Sequence, residues 1–363
     1  MANQFFPDYA IHPGEYIEEI LEARDMKKHD FAERSGVSVK TISQILNKKS
    51  LFSSDLALMF EKVLGVSADI LMNLSTYYQM YESRNKEKEE IELKSNWVKQ
   101  FPQKELISHD IIPDTKDTHE KANALLDFFN VSTPEVWEKY YNKKAVSFRK
   151  SPTYNSSLIC TATWLRIGER LASEVECDCF NKDIFKNNLD SIRDITVESP
   201  DVFEPKMKEL CAKSGVALVF VPELKDTHIS GATEWISSDK ALIVISLRYK
   251  SDDHFWFIFF HEAAHILLHN KKDIFIDNKD DKYSELEEEA NYFARKILIN
   301  QTAYRNFIKR KKIDKDDIER FAFQNRIAPG ILVEMMQHDQ IIEYSWHNDL
   351  KRKFELANRN AAT

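Results

Sequence analysis

Apolar residues recur at helical spacing over the first part of the chain. Residues 12 to 76 divide into five short amphipathic segments separated by tight turns. Gly36 and Gly65 end the second and fourth segments, and Ser38 and Ser67 stand where the third and fifth begin. The pattern therefore predicts a domain of five helices.

The pattern changes after residue 76. Residues 77 to 100 carry mixed charges on a helical pattern that ends near Pro102, as is typical of a solvated spacer helix. Two more short helices are expected within 103 to 145. We therefore predict a helical linker over 77 to 150, followed by a turn-rich boundary.

The remaining residues, 151 to 363, combine helices with two short apolar runs. VALVFV (216 to 221) and ALIVISL (241 to 247) are rich in β-branched residues and predict strands, whereas the segments around them predict helices. The fold class expected for the whole chain is mainly α, or α+β overall, with a small sheet in this last domain.

Composition narrows the function classes only a little. The chain has 363 residues and a net charge of −8, so a nucleic-acid contact would need a local basic patch. The N-terminus lacks the pattern of a signal peptide, and no apolar run has the length of a membrane span. Four cysteines follow no zinc-ribbon spacing. We expect a cytoplasmic protein that does not bind membranes.

The sequence HEAAH, at 261 to 265, is the first stretch with candidate chemistry. On a helix, His261 and His265 project from one face about one turn apart, a spacing that lets two imidazoles hold one zinc ion. Glu262 lies between them, where it can take a proton from an attacking water. The alternative is a buried helix whose polar side chains are all hydrogen-bonded.

A zinc site of this kind needs a third ligand. Lys271 stands where a metzincin has a histidine, so that class is excluded. In the next predicted helix Glu287 lies nearest the centre of the apolar stripe, which makes it the candidate ligand, and Asn291 or His269 could orient a ligand by a hydrogen bond. Ser284 and Glu287 also form a capping box, the competing interpretation.

HEAAH followed by EEEANYFA, at 287 to 294, resembles the ImmA/IrrE family of metallopeptidases over roughly residues 150 to 340. The resemblance implies a gluzincin-like domain that binds zinc through His261, His265 and Glu287. It also implies peptide hydrolysis with Glu262 as the general base.

The segment FAERSGVSVKTISQILNKK, at 31 to 49, has a helix-turn-helix signature. Gly36 makes the turn, and Ser38 opens a recognition helix whose outward positions would face the major groove of DNA. Gln44 could read adenine, and Lys40 could read guanine or a phosphate. The complete set of candidate DNA-contacting residues is Lys28, Ser38, Val39, Lys40, Thr41, Ser43, Gln44 and Lys48.

The alternative for this domain is a helical protein-binding bundle, because acidic residues outnumber basic ones in 1 to 76. The acids, however, cluster in the first helix. Residues 10 to 76 resemble the Cro/C1 (XRE) class, and HPGEYIEEIL is similar to the start of HigA-type antitoxins. The resemblance implies a homodimer on a palindromic operator that represses its own operon. Glycine is typical where Lys48 stands, so the turn there is expected to differ.

Three functions compete on the sequence alone. The first is a HigA-like antitoxin and autorepressor that binds operator DNA and a small toxin encoded nearby. The second is an active zinc protease that cleaves a repressor or partner under stress. The third is a zinc-stabilised domain without turnover, which Glu262 argues against because structural zinc sites normally have four protein ligands. We rank DNA-binding regulation first.

Overall fold

A computed structural model of the chain describes residues 9–93, 95–147, 155–224, 227, 229–246, 251–269, 271, 275–277, 285–310 and 312–353. By its internal contacts the chain divides into a first unit, Met1–Ser95, and a second unit, Asn96–Thr363. No helix in the described part of the chain has both the length and the apolar character needed to cross a membrane.

The first unit consists of the five helices that the sequence predicts. They are α1 Pro13–Ala23, α2 Lys28–Ser35, α3 Val39–Leu46, α4 Ser54–Leu64 and α5 Ala68–Leu93. Their apolar faces pack around Ile17, Phe31, Ile42 and Phe60, all of which are buried. Gly36 ends α2 with a φ of 69°, a left-handed conformation that glycine adopts without strain.

The HPGE sequence explains how α1 meets the helix predicted to recognise DNA. Pro13 occupies the first turn of α1, and the Nδ1 atom of His12 accepts a hydrogen bond from the backbone N–H of Gly14 at 2.9 Å. A Cβ atom at Gly14 would lie 2.0 Å from the carbonyl oxygen of Ile45. Glycine is therefore required here because α1 and α3 approach each other closely.

Helix α5 continues to Leu93, so the charged stretch that begins at residue 77 extends the fifth helix of the first unit. The segment after it, which the sequence assigns to a linker, contains α6 Ser95–Val98, α7 Gln103–Ser108, α8 Thr118–Phe129 and α9 Pro134–Ser147. Its aromatic side chains Trp97, Phe101, Phe129 and Trp137 are buried against one another. This segment thus has a packed core of its own within the second unit.

The sheet of the second unit contains the two predicted strands and two more. The described strands are β1 Val216–Phe220, β2 Gly231–Trp235, β3 Ala241–Ile245 and β4 Phe275–Asp277, in the order β1-β3-β2-β4. β1 and β3 are parallel, and β2 is antiparallel to both β3 and β4. The expected fold class, mainly α with a small sheet, is confirmed.

The described part of the second unit contains eight further α-helices. They are α10 Asn155–Ser173, α11 Lys182–Asp194, α12 Pro200–Ala212, α13 Asp252–Leu268, α14 Glu285–Leu298, α15 Gln301–Phe307, α16 Lys315–Asn325 and α17 Pro329–His338. Of these, α10, α12 and α13 pack against the sheet. Of the 17 residues of α13, 14 are buried, because α14, α17 and the strands β2 and β3 pack against it. Its polar residues are therefore held in a dry and rigid environment.

Candidate metal centre and nucleic-acid interface

The two histidines of HEAAH lie one turn apart on α13, with the edge of one ring toward the face of the other. Their Nε2 atoms are 3.0 Å apart, and His261 and His265 are only 3% and 2% exposed. The surrounding apolar residues of α13 exclude water from both rings. Such a pair is costly to bury unless a proton or a metal ion is shared between the lone pairs.

Glu287, from the first turn of α14, completes the group. Its Oε2 atom lies 3.0 Å from Nε2 of His261, and its Oε1 atom lies 3.7 Å from Nε2 of His265. The three residues proposed from the sequence as ligands are thus brought together. Ser284, the other half of the alternative capping box, lies outside the described residues.

The spacing of these donor atoms fits a tetrahedral metal ion. Zinc bonds of about 2 Å to nitrogen and oxygen place neighbouring ligand atoms about 3.3 Å apart. The distances within the group, 3.0, 3.0 and 3.7 Å, lie around that value. Two imidazoles and one carboxylate are also a donor set that zinc prefers. The residues present therefore fit the metal that the sequence implies.

The protonation of the group also favours a cation. Burial lowers the pKa of the His265 imidazole to about 4, so this ring is neutral at pH 7 and offers a lone pair. Burial alone would raise the pKa of Glu287, but its interactions with His261 and His265 outweigh burial and lower that pKa to about 2. An ionised carboxylate thus stands beside a neutral ring.

Both residues proposed to orient a ligand make hydrogen bonds to one. Nδ1 of His261 lies 3.0 Å from Oδ1 of Asn291, which accepts its proton. His269 stands just after the end of α13, and its Nδ1 atom lies 2.8 Å from Nδ1 of His265. With a proton on Nδ1 of His261 facing Asn291, its Nε2 atom would be available to a metal ion.

Glu262 is fully buried, and a residue that sequence reasoning missed holds it in place. The hydroxyl of Thr233, on β2, donates a hydrogen bond of 2.7 Å to Oε2 of Glu262. Gly231, two residues earlier, leaves room for the same side chain, because a Cβ atom there would lie 2.6 Å from Oε1 of Glu262. Strand β2 therefore positions the proposed base from outside the HEAAH helix.

A second group of ligand-type side chains lies near the start of α13. Asp253, His254 and Glu334 bring potential ligand atoms within 4.8 Å of one another. The ammonium group of Lys351 lies 2.8 Å from a carboxylate oxygen of Asp253 and 2.8 Å from one of Glu334. The chain supplies its own cation to this group, so we assign no metal to it.

On the recognition helix α3, the candidate DNA-contacting side chains fall into two sets. Val39, Lys40 and Gln44 are exposed, as is Lys28 at the start of α2. They can reach a DNA groove or a phosphate without rearrangement. These four residues form the accessible part of the predicted interface.

The other candidates already have partners within the first unit. Ser38 caps α3 by accepting a hydrogen bond from the backbone of Thr41, and the two hydroxyls lie 2.8 Å apart. Ser43 accepts a hydrogen bond from Asn47. Lys48 pairs with Glu15 at 2.6 Å and adopts a φ of 61°. The turn therefore keeps the left-handed conformation that glycine favours.

Two protein-family models match the chain. Residues 211–328 match the Peptidase M78 family, described as the IrrE N-terminal-like domain. Residues 17–71 match a helix-turn-helix family. A helix-turn-helix model thus matches the first unit, and a model of the IrrE N-terminal-like domain matches part of the second, in the two stretches where the sequence resembles the XRE class and the ImmA/IrrE family.

Two of the solved structures that resemble this chain each cover 23% of it. One is described as a candidate antidote protein of a plasmid maintenance system from Nostoc punctiforme, with 34% identity, 23% of this chain and 92% of that chain covered, and a TM-score of 0.23. Another is an addiction module antidote protein of a HigA family from Coxiella burnetii, with 28% identity, 23% and 90% covered, and a TM-score of 0.21. No curated protein matches the chain.

Proposed function

We propose that this protein is a DNA-binding transcriptional regulator whose second unit contains a zinc-dependent peptidase domain. The observation that carries the proposal is the convergence of His261, His265 and Glu287 in a chain that also has a helix-turn-helix domain. The regulator is of the HigA antitoxin kind, acts as a homodimer and represses its own operon. The antitoxin kind, the homodimer and the autorepression are proposed from the resemblance of HPGEYIEEIL to HigA-type antitoxins.

DNA binding is supported by the exposed surface of α3. Lys40 is expected to contact a phosphate or guanine, and Gln44 has the amide geometry that suits adenine. A lost bidentate contact to a base costs about 1–3 kcal/mol, so Gln44→Ala is expected to weaken operator binding by roughly 10-fold and to relax sequence preference.

The test is the binding of the purified chain to the DNA upstream of its own gene, measured by fluorescence anisotropy. Lys40→Ala and Gln44→Ala are compared with Lys62→Ala, which removes an exposed lysine from α4. Weaker binding by the first two and unchanged binding by the third supports the proposal. Equal binding by all chains contradicts it. Sedimentation of the same samples tests the dimer.

Peptide hydrolysis is a second activity that one observation favours. Glu262 is 0% exposed and its carboxylate is held by Thr233, the arrangement expected of a positioned general base. His261, His265 and Glu287 would hold zinc, which when bound polarises a carbonyl group and makes water more acidic. Glu262 would take the proton of the attacking water and pass it to the leaving amine.

The two activities are separated by co-expressing the chain with its neighbouring genes, once as wild type and once as Glu262→Gln. Intact-mass spectrometry of the co-purified proteins is the measurement. A small partner that is whole in both preparations supports an antitoxin that holds its toxin. A partner that is cleaved only by the wild type supports a protease. If no small partner is bound or cleaved, the antitoxin proposal is wrong.

A further inference from the structure

Lys48 and Glu15 form an ion pair between the end of the recognition helix and the start of α1. Nζ of Lys48 lies 2.6 Å from Oε2 of Glu15, and the two side chains are 52% and 45% exposed. The hydrogen bond to Glu15 raises the pKa of the Lys48 ammonium group. A lysine that the sequence assigns to DNA contact is thus already bonded to a carboxylate of its own chain.

The position of Glu15 is fixed by the close approach of α1 and α3. Gly14, the residue before it, leaves no room for a Cβ atom, which would lie 2.0 Å from the carbonyl oxygen of Ile45. Next to this junction the ring of His12 packs edge to face with Tyr78 of α5, with ring centroids 4.7 Å apart. The first turn of α1 therefore holds the Glu15 carboxylate beside the turn that follows α3.

Lys48 occupies a backbone position that favours glycine. Its φ of 61° lies in the left-handed region, where a residue with a side chain is disfavoured. An exposed ion pair contributes little to stability, so the contact with Glu15 does not by itself explain a lysine at this position. A negatively charged ligand explains it better, because the turn lies at the end of the helix that is expected to enter the DNA groove.

We propose that Glu15 competes with the DNA backbone for Lys48 and so lowers the affinity of the chain for DNA of any sequence. The inference deepens the proposed function, because it rests on DNA binding by the helix-turn-helix domain. A carboxylate oxygen and a phosphate oxygen are both charged acceptors for an ammonium group. When Lys48 moves to a phosphate, its contact with Glu15 is broken, and the free energy of that contact is subtracted from DNA binding. Phosphates carry no sequence information, so the effect is the same on every duplex.

Glu15→Gln removes the charge that competes with DNA, and Glu22→Gln is its control. Glu22 is exposed and lies seven residues later, about two turns along the same face of α1, so the control makes the same change of net charge. An exposed ion pair shifts an equilibrium by roughly 1.5- to 5-fold. We expect Glu15→Gln to lower the Kd for DNA by about 3-fold relative to Glu22→Gln. Fluorescence anisotropy at low salt measures it, with the DNA upstream of the gene and with an unrelated duplex.

The same two substitutions in a Lys48→Met background decide whether the lysine is involved. There Glu15→Gln and Glu22→Gln are expected to bind DNA equally, because no ammonium group is left to release. The inference is overturned if Glu15→Gln binds DNA no more tightly than Glu22→Gln. It is also overturned if the gain persists without Lys48, since the carboxylate would then act by general repulsion of DNA. A wild type that binds neither duplex contradicts the proposed function itself, and the inference falls with it.

Discussion

The two ends of α13 carry two groups of ligand-type side chains that differ in the source of their positive charge. Near the start of the helix, Asp253 and Glu334 face the ammonium group of Lys351, 2.8 Å from each. In its second half, Glu287 faces the rings of His261 and His265. One group is neutralised by a lysine of the chain itself, and the other presents lone pairs at the spacing of metal ligands.

The difference shows that closeness of ligand atoms does not by itself identify a metal site. Both groups bring three potential ligands within 4.8 Å. A buried carboxylate is stable only with a compensating charge, and the chain can provide that charge or leave it to an ion. Burial lowers the pKa of the His265 imidazole to about 4, so this ring is neutral at pH 7. It therefore cannot neutralise a carboxylate as Lys351 does in the other group.

Removal of a ligand from the His261 group gives the largest expected effect. Outer partners alone are worth about 10–100-fold in metal affinity, so Glu287→Gln is expected to cost more than about 100-fold. The measurement is zinc per chain by elemental analysis, together with the zinc-dependent rise in melting temperature. Glu285→Gln, at the start of the same helix, is the control. A Glu287→Gln chain that keeps stoichiometric zinc would contradict the proposed ligand set.

Removal of the cation from the other group is expected to destabilise the second unit. Lys351→Met leaves Asp253, which is 1% exposed, without the ammonium group that faces it. Loss of one partner from a buried pair costs about 3–5 kcal/mol, and we expect about 3 because Glu334 is partly accessible to water. Urea unfolding of the variant measures the cost.

Two comparisons sharpen that result. Lys353→Met removes a nearby exposed lysine and should change the free energy of unfolding little. If the cation alone distinguishes the two groups, added zinc should recover part of the stability that Lys351→Met loses. Unchanged stability of Lys351→Met would show that the ion pair contributes nothing, and the comparison would then fail.

The sequence predicts the local part of the His261 group and misses the distant partners of both groups. The spacing of His261 and His265 and the apolar stripe around Glu287 are patterns within single helices, so a helical period reveals them. Thr233 lies on a strand 29 residues before Glu262, and Lys351 lies in the C-terminal segment. Their pairing depends on tertiary packing, for which a single sequence contains no period.

The length of α5 could have been predicted more fully. Neither glycine nor proline occurs between Ser67 and Pro102, so no residue in that interval ends a helix. The predicted domain boundary at residue 76 lies where the composition changes from amphipathic to charged. That change marks where the helix leaves the core of the first unit, and the helix itself ends only at Leu93.

A third buried group pairs one lysine with two glutamates, and it tests whether a single ammonium group can neutralise both carboxylates. Nζ of Lys144 lies 2.8 Å from both Glu169 and Glu234. Burial raises the pKa of Glu234 to about 7, and the nearby charge of Glu169 adds to the rise although Lys144 opposes it. Between the ordinary pKa of a glutamate and about pH 7, the folded chain therefore binds the proton of Glu234 more tightly than the unfolded chain does.

The sign of the pH dependence follows directly. The contribution of Glu234 to stability is present at low pH and is lost as the pH rises to about 7. We expect the free energy of unfolding of the wild type, relative to Glu234→Gln, to fall by about 2 kcal/mol between pH 5 and pH 8. Urea unfolding at both pH values measures it. Glu174→Gln, at an exposed site, should show no such difference, and a flat result for Glu234 would show that one lysine suffices for both acids.

Thr233→Val gives the smallest expected effect and separates the base from the ligands. Valine has nearly the shape of threonine but cannot donate to Glu262, which is 0% exposed. Loss of this buried hydrogen bond to a carboxylate should cost about 1.5 kcal/mol in urea unfolding, and Thr233→Ser should restore most of it. Zinc content should stay unchanged, because Thr233 contacts Glu262 and not a ligand. Loss of zinc from Thr233→Val at unchanged stability would mean that β2 supports the metal group itself, and the proposed division between a base held by the sheet and ligands held by the helices would be wrong.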